Sequence, residues 1–131
     1  MSARALLPDG WPVPKGYANG MAATGRLVVT AGVVGWDAEG RFAEGLAAQC
    51  ALAFANIVAI LAEGGAVPAD VVKLTWYITS REAYLAEVKA IGAAYRAAFG
   101  GHYPAMAVVQ VTGLMEAAAL VEIEATAVVG V

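Results

Sequence analysis

The chain has 131 residues, of which 60% are hydrophobic and 15% charged, so its composition lies on the apolar side of typical soluble domains. This length predicts a single domain, 1–131, with one core. The net charge is −3 and no lysine or arginine cluster occurs, which argues against nucleic-acid binding. A single cysteine excludes an intrachain disulfide and, with a single histidine, leaves no metal motif. The cysteine content favours a reducing, cytoplasmic setting.

The first forty residues predict little regular structure. Residues 1–16 carry three prolines and no periodicity, which indicates an irregular arm. A short strand is predicted at 26–31 (RLVVTA), after the turn-like Thr24-Gly25, and the pattern also admits an extra strand before it. The stretch 32–40 (GVVGWDAEG), rich in glycine and aspartate, indicates a loop or turn.

Residues 46–63 predict a long helix. Apolar side chains recur at spacings of three and four, and Gln49, Asn56 and Glu63 form a narrow polar stripe seven residues apart. So narrow a stripe predicts a helix buried over most of its circumference. A double glycine directly after it marks the C-terminus. Since no apolar run approaches 18 residues without a polar break, the pattern argues against a membrane span.

The middle of the chain predicts a strand followed by a second helix. In 71–79 (VVKLTWYIT) apolar and polar residues alternate, which is the strongest strand pattern in the chain. Residues 79–82 (TSRE) have capping-box spacing and predict a helix start. An apolar stripe from Tyr84 to Phe99 continues to a double glycine that ends the helix. Its exposed side is marked by Glu82, Lys89 and Arg96.

Two strands close the predicted fold, at 105–112 and 119–129. They are close enough along the chain to pair as an antiparallel hairpin. The order strand, helix, strand, helix, strand, strand predicts an α+β fold in which a single mixed sheet carries two helices on one face.

The opposite face of that sheet is predicted to be too apolar to lie in water as a patch. We therefore expect it to pack against other copies of the chain. In the obvious register of the last two strands, a ligand site at such an interface is lined by Met106, Val108, Gln110 and Glu122.

Glu122 is the candidate catalytic residue. It lies two residues from Glu124 on the same strand face, and a carboxylate in a largely apolar, partly closed cleft suits a general base or acid. The alternative is structural: one glutamate pairs with a cation and the other is exposed, because ion-pair networks also hold carboxylates.

Four further residues carry suggestive chemistry. His102 precedes a predicted strand and suits proton transfer, although a loop histidine more often is solvated or caps a carbonyl. Trp36, in a glycine-bounded loop, is either a packing anchor or a ligand wall. Tyr17 follows the arm and can bring a hydroxyl to a neighbouring site. Cys50 lies on the apolar face of the first helix, as inert core.

Five segments, in order, resemble the Rid (YjgF-type) family, also called the enamine/imine deaminase or L-PSP endoribonuclease family. They are GYANG, RLVVTAG, VVKLTWYIT, YPAMAVVQV and VEIEATAVV, and the resemblance covers about residues 16–129. It implies a compact α+β fold like that of the small chorismate mutases and a homotrimer with clefts between its subunits. It also implies hydrolysis of reactive enamines and imines without a cofactor.

The resemblance assigns roles to particular residues. Tyr17 matches a tyrosine that helps close the cleft, Gly32 the glycine after the second strand, and Glu122 a glutamate that positions or activates water. Met106 stands where the family has an arginine that clamps the substrate carboxylate. Because methionine cannot form that clamp, an uncompensated anion is disfavoured there, and the usual 2-imino acids are not the expected substrates.

The other departures from the family also replace polar groups with smaller or more apolar ones. Ala31 and Ala107 stand where many members have serine, Val108 where many have cysteine, and Gly92 where many have asparagine. We therefore expect a larger, less charged or aromatic ligand. The expected walls of its cleft are Trp36, Met106 and Val108, with His102 or Tyr103.

These features favour a Rid-type hydrolase or deaminase acting on an enamine, imine or related small metabolite, with Glu122 as the water-activating base and neither cofactor nor metal. The alternative is a non-catalytic trimer that binds a small ligand, which the lost arginine favours. A ribonuclease, suggested by the family's older name, is disfavoured by the acidic balance and by the lack of a basic patch.

Overall fold

The computed structural model describes residues 3–130, so Met1, Ser2 and Val131, which belong to the predicted domain, lie outside the described residues. It has a mixed sheet with two main helices on one face, which confirms the predicted α+β fold class. The elements are β1 (Arg4–Ala5), β2 (Met21–Ala22), β3 (Arg26–Val29), β4 (Val33–Val34), α1 (Leu46–Glu63), β5 (Val71–Ile78), α2 (Arg81–Ala86), α3 (Val88–Phe99), β6 (Ala105–Gln110) and β7 (Val121–Val129).

The N-terminal arm is less irregular than predicted. β1 pairs antiparallel with β2 in a separate two-stranded sheet. Further along, the N–H of Ala18 donates to the carbonyl oxygen of Pro104 at 3.0 Å, and Ala18 forms a parallel bridge with Ala105. The arm therefore runs past the start of β6 and brings residues 15–17 beside it.

The main sheet has the strand order β3-β7-β5-β6, and β4 also pairs with β7. β5 pairs antiparallel with β7 and parallel with β6. The predicted hairpin of the last two strands is therefore wrong, because β5 lies between them. Loop length alone favours the hairpin, but α2 and α3 supply the crossover that a parallel β5–β6 pair requires. β7, whose inward side chains are 0–2% exposed, takes the central position.

This pairing decides which side chains share a face. Residues opposite each other on paired strands point to the same side of a sheet. Met106 lies opposite Leu74 on the helix-covered face, whereas Glu122 lies opposite Tyr77 on the open face. The prediction that Glu122 shares a face with three residues of β6 is therefore wrong. Those three, all on the helix side, are Met106, Val108 and Gln110.

The core lies between the sheet and the two long helices. Phe54 of α1 packs edge-on against Trp76 and Tyr95, with ring centroids 5.2 and 5.6 Å apart. Among residues 3–130, α1 alone is long and apolar enough to cross a membrane by length and composition. Its side chains Phe54, Ile57 and Leu61 are fully buried within the core cluster, so here it serves as a core helix.

Side chains of the polar stripe of α1 form hydrogen bonds to neighbouring loops. Gln49 is only 3% exposed, and its Nε2 donates to the carbonyl oxygens of Ala43 and Ala118 at 3.1 and 3.0 Å. The N–H of Leu120 donates to Gln49 Oε1 at 2.8 Å. An unpaired buried amide would cost about 1–3 kcal/mol, so these bonds allow a polar side chain at a core position and hold the loop before β7.

The second predicted helix is divided at Glu87. Ser80, rather than Thr79, caps α2, since its Oγ accepts the N–H of Ala83 at 3.0 Å. Glu87 separates α2 from α3, and its Oε1 accepts the N–H of Ala47 at 3.2 Å in the first turn of α1. A carboxylate at that place satisfies an N–H that has no partner within the helix. No glycine or proline marks the break in the sequence.

Candidate functional site

A cavity of about 580 Å³, which we call the aromatic cavity, lies between α2, α3 and β6. It lies against β6, which is an edge strand of the main sheet. Its floor is formed by Trp76, Met106 and Val108. These side chains are on the helix-covered face, because β6 pairs with β5 in the parallel register described above.

The walls of this cavity are unusually rich in aromatic rings. Tyr95 stacks on Tyr103 with ring centroids 5.2 Å apart, and Tyr84 packs edge-on against Trp76 at 6.1 Å. The hydroxyl of Tyr95 donates to the carbonyl oxygen of His102 at 2.7 Å. Burial raises the pKa of both Tyr84 and Tyr95. Both hydroxyls therefore stay protonated, as hydrogen-bond donors, at neutral pH.

The rim of the aromatic cavity comes from the N-terminal arm. Lys15, Gly16 and Tyr17 line it, and Gly16 has a φ of 78°, a conformation that favours glycine. The bond between Ala18 and Pro104 anchors this turn beside β6. Tyr17 is 44% exposed, and within residues 3–130 its hydroxyl makes no hydrogen bond, so it is available to a ligand or to another copy of the chain.

A second region, the Glu122 corner, consists of Gly32 and Glu122. A Cβ added at Gly32 would lie on the carboxylate of Glu122, so only glycine leaves room for that carboxylate. One extra residue between β3 and β4 creates this geometry, since Val29 lies opposite Thr126 but Val33 lies opposite Ile123. Bulges of this kind re-aim side chains at a sheet edge.

The two neighbouring glutamates differ in their bonding. The hydroxyl of Tyr77 donates to Glu124 Oε1 at 2.8 Å, and this hydrogen bond raises the pKa of Tyr77. Glu122 is half-buried, and its carboxylate bonds to no described residue. The ion pairs found within residues 3–130 belong to Arg41, so the alternative in which one of the two glutamates pairs with a cation is not observed there.

Trp36 lies beside Gly32 in a second, shallower cavity of about 400 Å³. Its ring packs on Phe42 at 5.4 Å, and its carbonyl oxygen accepts the amide of Asn56 at 2.8 Å. The next residue, Asp37, forms a tight turn in which the N–H of Arg41 donates to the carboxylate and lowers the pKa of Asp37. Trp36 is therefore a packing anchor that also lines a cavity.

His102 and Gln110 lie in neither cavity. His102 Nε2 is 2.7 Å from the carbonyl oxygen of Val71, to which it can only donate. Gln110 Oε1 accepts the N–H of Arg81, the first residue of α2, at 2.6 Å. Both side chains are thus engaged in hydrogen bonds that hold the ends of elements together.

A single chain does not bring all the predicted site residues to one place. Tyr17, Met106 and Val108 share the aromatic cavity, whereas Gly32 and Glu122 form the corner on the open face. Nor do three or more His, Cys, Asp or Glu side chains cluster as metal ligands anywhere in 3–130.

Sequence reasoning overlooked two cations in the aromatic cavity, Lys15 and Arg96. The sequence pattern predicts Arg96 on the exposed side of its helix, and most of its surface is indeed exposed. The available signal was Gly92, one turn earlier on the same face, because a glycine within a helix leaves space for a side chain four residues on.

The family model described as Endoribonuclease L-PSP matches residues 12–129. Among solved structures, the chain is similar to YyfB of Yersinia pestis, a Rid-family protein of unknown function, with 36% identity, a TM-score of 0.84 and coverage of 98% of this chain and 100% of that one. It is also similar to Rv2704 of Mycobacterium tuberculosis, of the YjgF/YER057c/UK114 family (35% identity, TM-score 0.66, 88% of each chain).

RidA from the Antarctic bacterium Psychrobacter sp. PAMC 21119 is 30% identical, with a TM-score of 0.70 and coverage of 96% of this chain and 99% of that one. No curated protein matches the chain.

Proposed function

Since the chain belongs to the Rid (L-PSP) family, we propose that it hydrolyses an enamine, imine or related small metabolite in clefts between the subunits of a homotrimer. One observation carries the proposal. Glu122 holds a carboxylate against Gly32 that no described residue engages, while Glu124, two residues on, is occupied by Tyr77. A carboxylate left without a partner at the edge of a cleft is available to bind and activate water.

Assembly supplies what one chain lacks. The aromatic cavity and the Glu122 corner lie on opposite faces of the sheet, so a combined site requires the cavity of one copy and the corner of another. The open face also carries exposed apolar side chains that favour burial between copies: Leu27 is 65% exposed, Val29 58% and Val109 41%. The trimer itself rests on the resemblance to the Rid family.

The proposed chemistry needs water and proton transfer alone. Glu122 accepts a proton from water as the water oxygen bonds to the carbon of the protonated imine, giving a carbinolamine. Glu122 then passes this proton to the nitrogen, and the carbinolamine hydroxyl gives its own proton to Glu122 as the C–N bond breaks. The products are a carbonyl compound and ammonia or an amine. An enamine first takes a proton at its carbon and becomes the protonated imine. Tyr17 supplies a hydroxyl that closes the cleft.

Met106 limits the range of substrates. A thioether on the cavity floor offers polarizable, apolar contact and does not bind a carboxylate. We therefore propose that short 2-imino acids, which would place their carboxylate at that position, are poor substrates. Compounds with an aromatic or bulky apolar body fit the rings of the cavity better.

A matched pair of variants tests the catalytic assignment. Glu122→Gln removes the base without changing the size of the side chain, so kcat for imines with aromatic bodies should fall by about 100-fold or more. Glu124→Gln, on the same strand face, should keep activity within a few-fold. Equal loss in both variants, or none in Glu122→Gln, would contradict the proposal. Stopped assays of carbonyl product provide the measurement.

The second candidate is a trimer that binds a small ligand without consuming it, which Met106 in the clamp position favours. A compound that raises the thermal midpoint yet is recovered unchanged after prolonged incubation would support this function over hydrolysis. Either function is proposed for the cytoplasm, where the single, fully buried Cys50 stays reduced.

A further inference from the structure

The aromatic cavity carries positive charge without an acidic partner. Lys15 and Arg96 both line it, and none of its lining residues is aspartate or glutamate. Neither cation forms an ion pair with any residue in 3–130. A concave surface that presents two unpaired cations at its rim and wall attracts anions and focuses its field into the cavity.

Arg96 is aimed along the cavity wall by its neighbour one turn earlier. A Cβ placed at Gly92 would lie 3.5 Å from Arg96 Nη1, so the guanidinium extends back over the glycine toward the N-terminus of α3. A glycine within a helix is less favourable than alanine, because its backbone loses more conformational freedom on folding. Gly92 leaves open space beside the guanidinium where a longer side chain would reach into the cavity.

Two further hydrogen-bond donors among the lining residues have no partner. The hydroxyls of Tyr84 and Tyr103 form no hydrogen bond within the described part of the chain, and both residues line the cavity. An acceptor-rich ligand would therefore find donors in addition to the two cations.

We propose that the aromatic cavity is a binding site for small aromatic carboxylates, with Arg96 and Lys15 as the contacts to the anion and the tyrosine rings as contacts to the flat body. The inference rests on the proposed function, for which it names the substrate class: an imine or enamine with an aromatic body and a carboxylate. The anion contact is thereby supplied from α3 and the arm, in place of the strand position that Met106 occupies.

This arrangement predicts a different substrate length from a clamp on the strand. Because the guanidinium of Arg96 lies on the helix wall, the carboxylate of the ligand is held across the cavity from β6. The rings fill the space between, and the reacting carbon has to reach the cleft where a neighbouring Glu122 corner meets the cavity. Short aliphatic imino acids cannot span that path.

Isothermal titration with 3-phenylpropionate and with its neutral amide, 3-phenylpropionamide, tests the site directly. The wild-type chain should bind the carboxylate at least about tenfold more tightly than the amide, since bonds to charged groups are the stronger ones. Arg96→Gln should remove this preference and leave amide binding unchanged. Arg96→Lys, which keeps the charge, should retain part of it and shows that the fold is intact.

Arg81→Gln is the matched control, because Arg81 is exposed and does not line the cavity. It should bind the carboxylate like the wild type. Equal binding of acid and amide by the wild type, or an unchanged preference in Arg96→Gln, would overturn the inference. A preference lost equally in Arg81→Gln would do so as well, because it would show a general charge effect.

The outcomes separate this inference from the proposed function. If Glu122→Gln keeps its turnover while Arg96→Gln loses carboxylate binding, the hydrolase assignment fails and the binding site stands. If Glu122→Gln is inactive while Arg96→Gln binds 3-phenylpropionate normally, the hydrolase assignment stands and the anion site fails.

Discussion

The aromatic cavity and the Glu122 corner divide two tasks between the two faces of one sheet. The cavity has aromatic rings, unpaired donors and two cations but no acid, whereas the corner has a carboxylate and a glycine with almost no room between them. The first arrangement suits binding, and the second suits chemistry on water. Because the cavity and the corner lie on opposite faces of the sheet, neither is a complete site within one chain, and joining them requires a second copy.

Two glycines make this contrast measurable. A Cβ at Gly32 would lie on the carboxylate of Glu122, while a Cβ at Gly92 would make only ordinary contact, 3.5 Å from Arg96 Nη1. The same substitution is therefore expected to disturb catalysis in one region and to leave the other region in working order.

The largest effect is expected from Gly32→Ala. The new methyl group displaces the end of a flexible glutamate, so stability should change little, but the carboxylate leaves its position. Misplacing a catalytic group by about 1 Å can cost on the order of 100-fold in rate, and we expect such a fall in kcat. Gly113→Ala, where nothing lies within 4 Å of the added atom, is the control. Normal kcat in Gly32→Ala would refute the role of the corner.

Residues outside both regions should affect stability and not turnover. His102→Ala removes a bond to Val71 and Gln110→Ala one to Arg81. Each should lower the free energy of unfolding by about 0.5–1.5 kcal/mol, as measured by urea denaturation. If kcat per folded protein falls more than a few-fold in either variant, that residue contributes to the site.

Tyr95→Phe probes the wall of the aromatic cavity through pH. Burial raises the pKa of Tyr95 in the folded state, so its stabilising contribution is complete below the ordinary tyrosine pKa of about 10 and is lost as pH rises above it. The variant should lose about 1 kcal/mol at neutral pH with its bond to His102. Above pH 10 its stability should then decline less steeply than that of the wild type.

The comparison variant is Tyr103→Phe, which keeps the ring and the burial that is the larger cause of the raised Tyr95 pKa, and removes the smaller cause, the neighbouring Tyr103 charge. It should keep most of the wild-type decline at high pH. Cys50, whose thiol pKa is raised by burial to about 12, contributes the same alkaline loss in every variant. An identical alkaline decline in Tyr95→Phe and in the wild type would contradict the effect of burial.

The smallest effect is expected from Gly92→Ala. The added methyl group meets no clash, and alanine is favoured over glycine within a helix by about 0.5–1 kcal/mol. Thermal or urea denaturation should therefore show a gain of that size, with kcat and carboxylate binding within a few-fold of the wild type. A loss of stability would mean that the cavity wall is more tightly packed than its geometry indicates.

Much of the fold can be predicted from local sequence patterns. The predicted helix 46–63 has the observed bounds of α1, and the strand predicted at 71–79 is β5 with one residue fewer. The partner of the last strand was predicted wrongly, because pairing depends on which strand buries its face best. Neither the break at Glu87 nor the bulge between β3 and β4 has a local signal, since each depends on a distant contact.

The candidate site shows the same division. Residue identity is enough to recognise the family, and hydrophobic periods of two and 3.6 residues are enough to predict the fold class. Tertiary packing is what places Met106 and Glu122 on opposite faces and lets Arg96 line the cavity beside Gly92. It also gives Gln110 and His102 their hydrogen-bond partners. The physical reason is that a side chain acquires its chemistry from neighbours that packing, rather than chain order, brings to it.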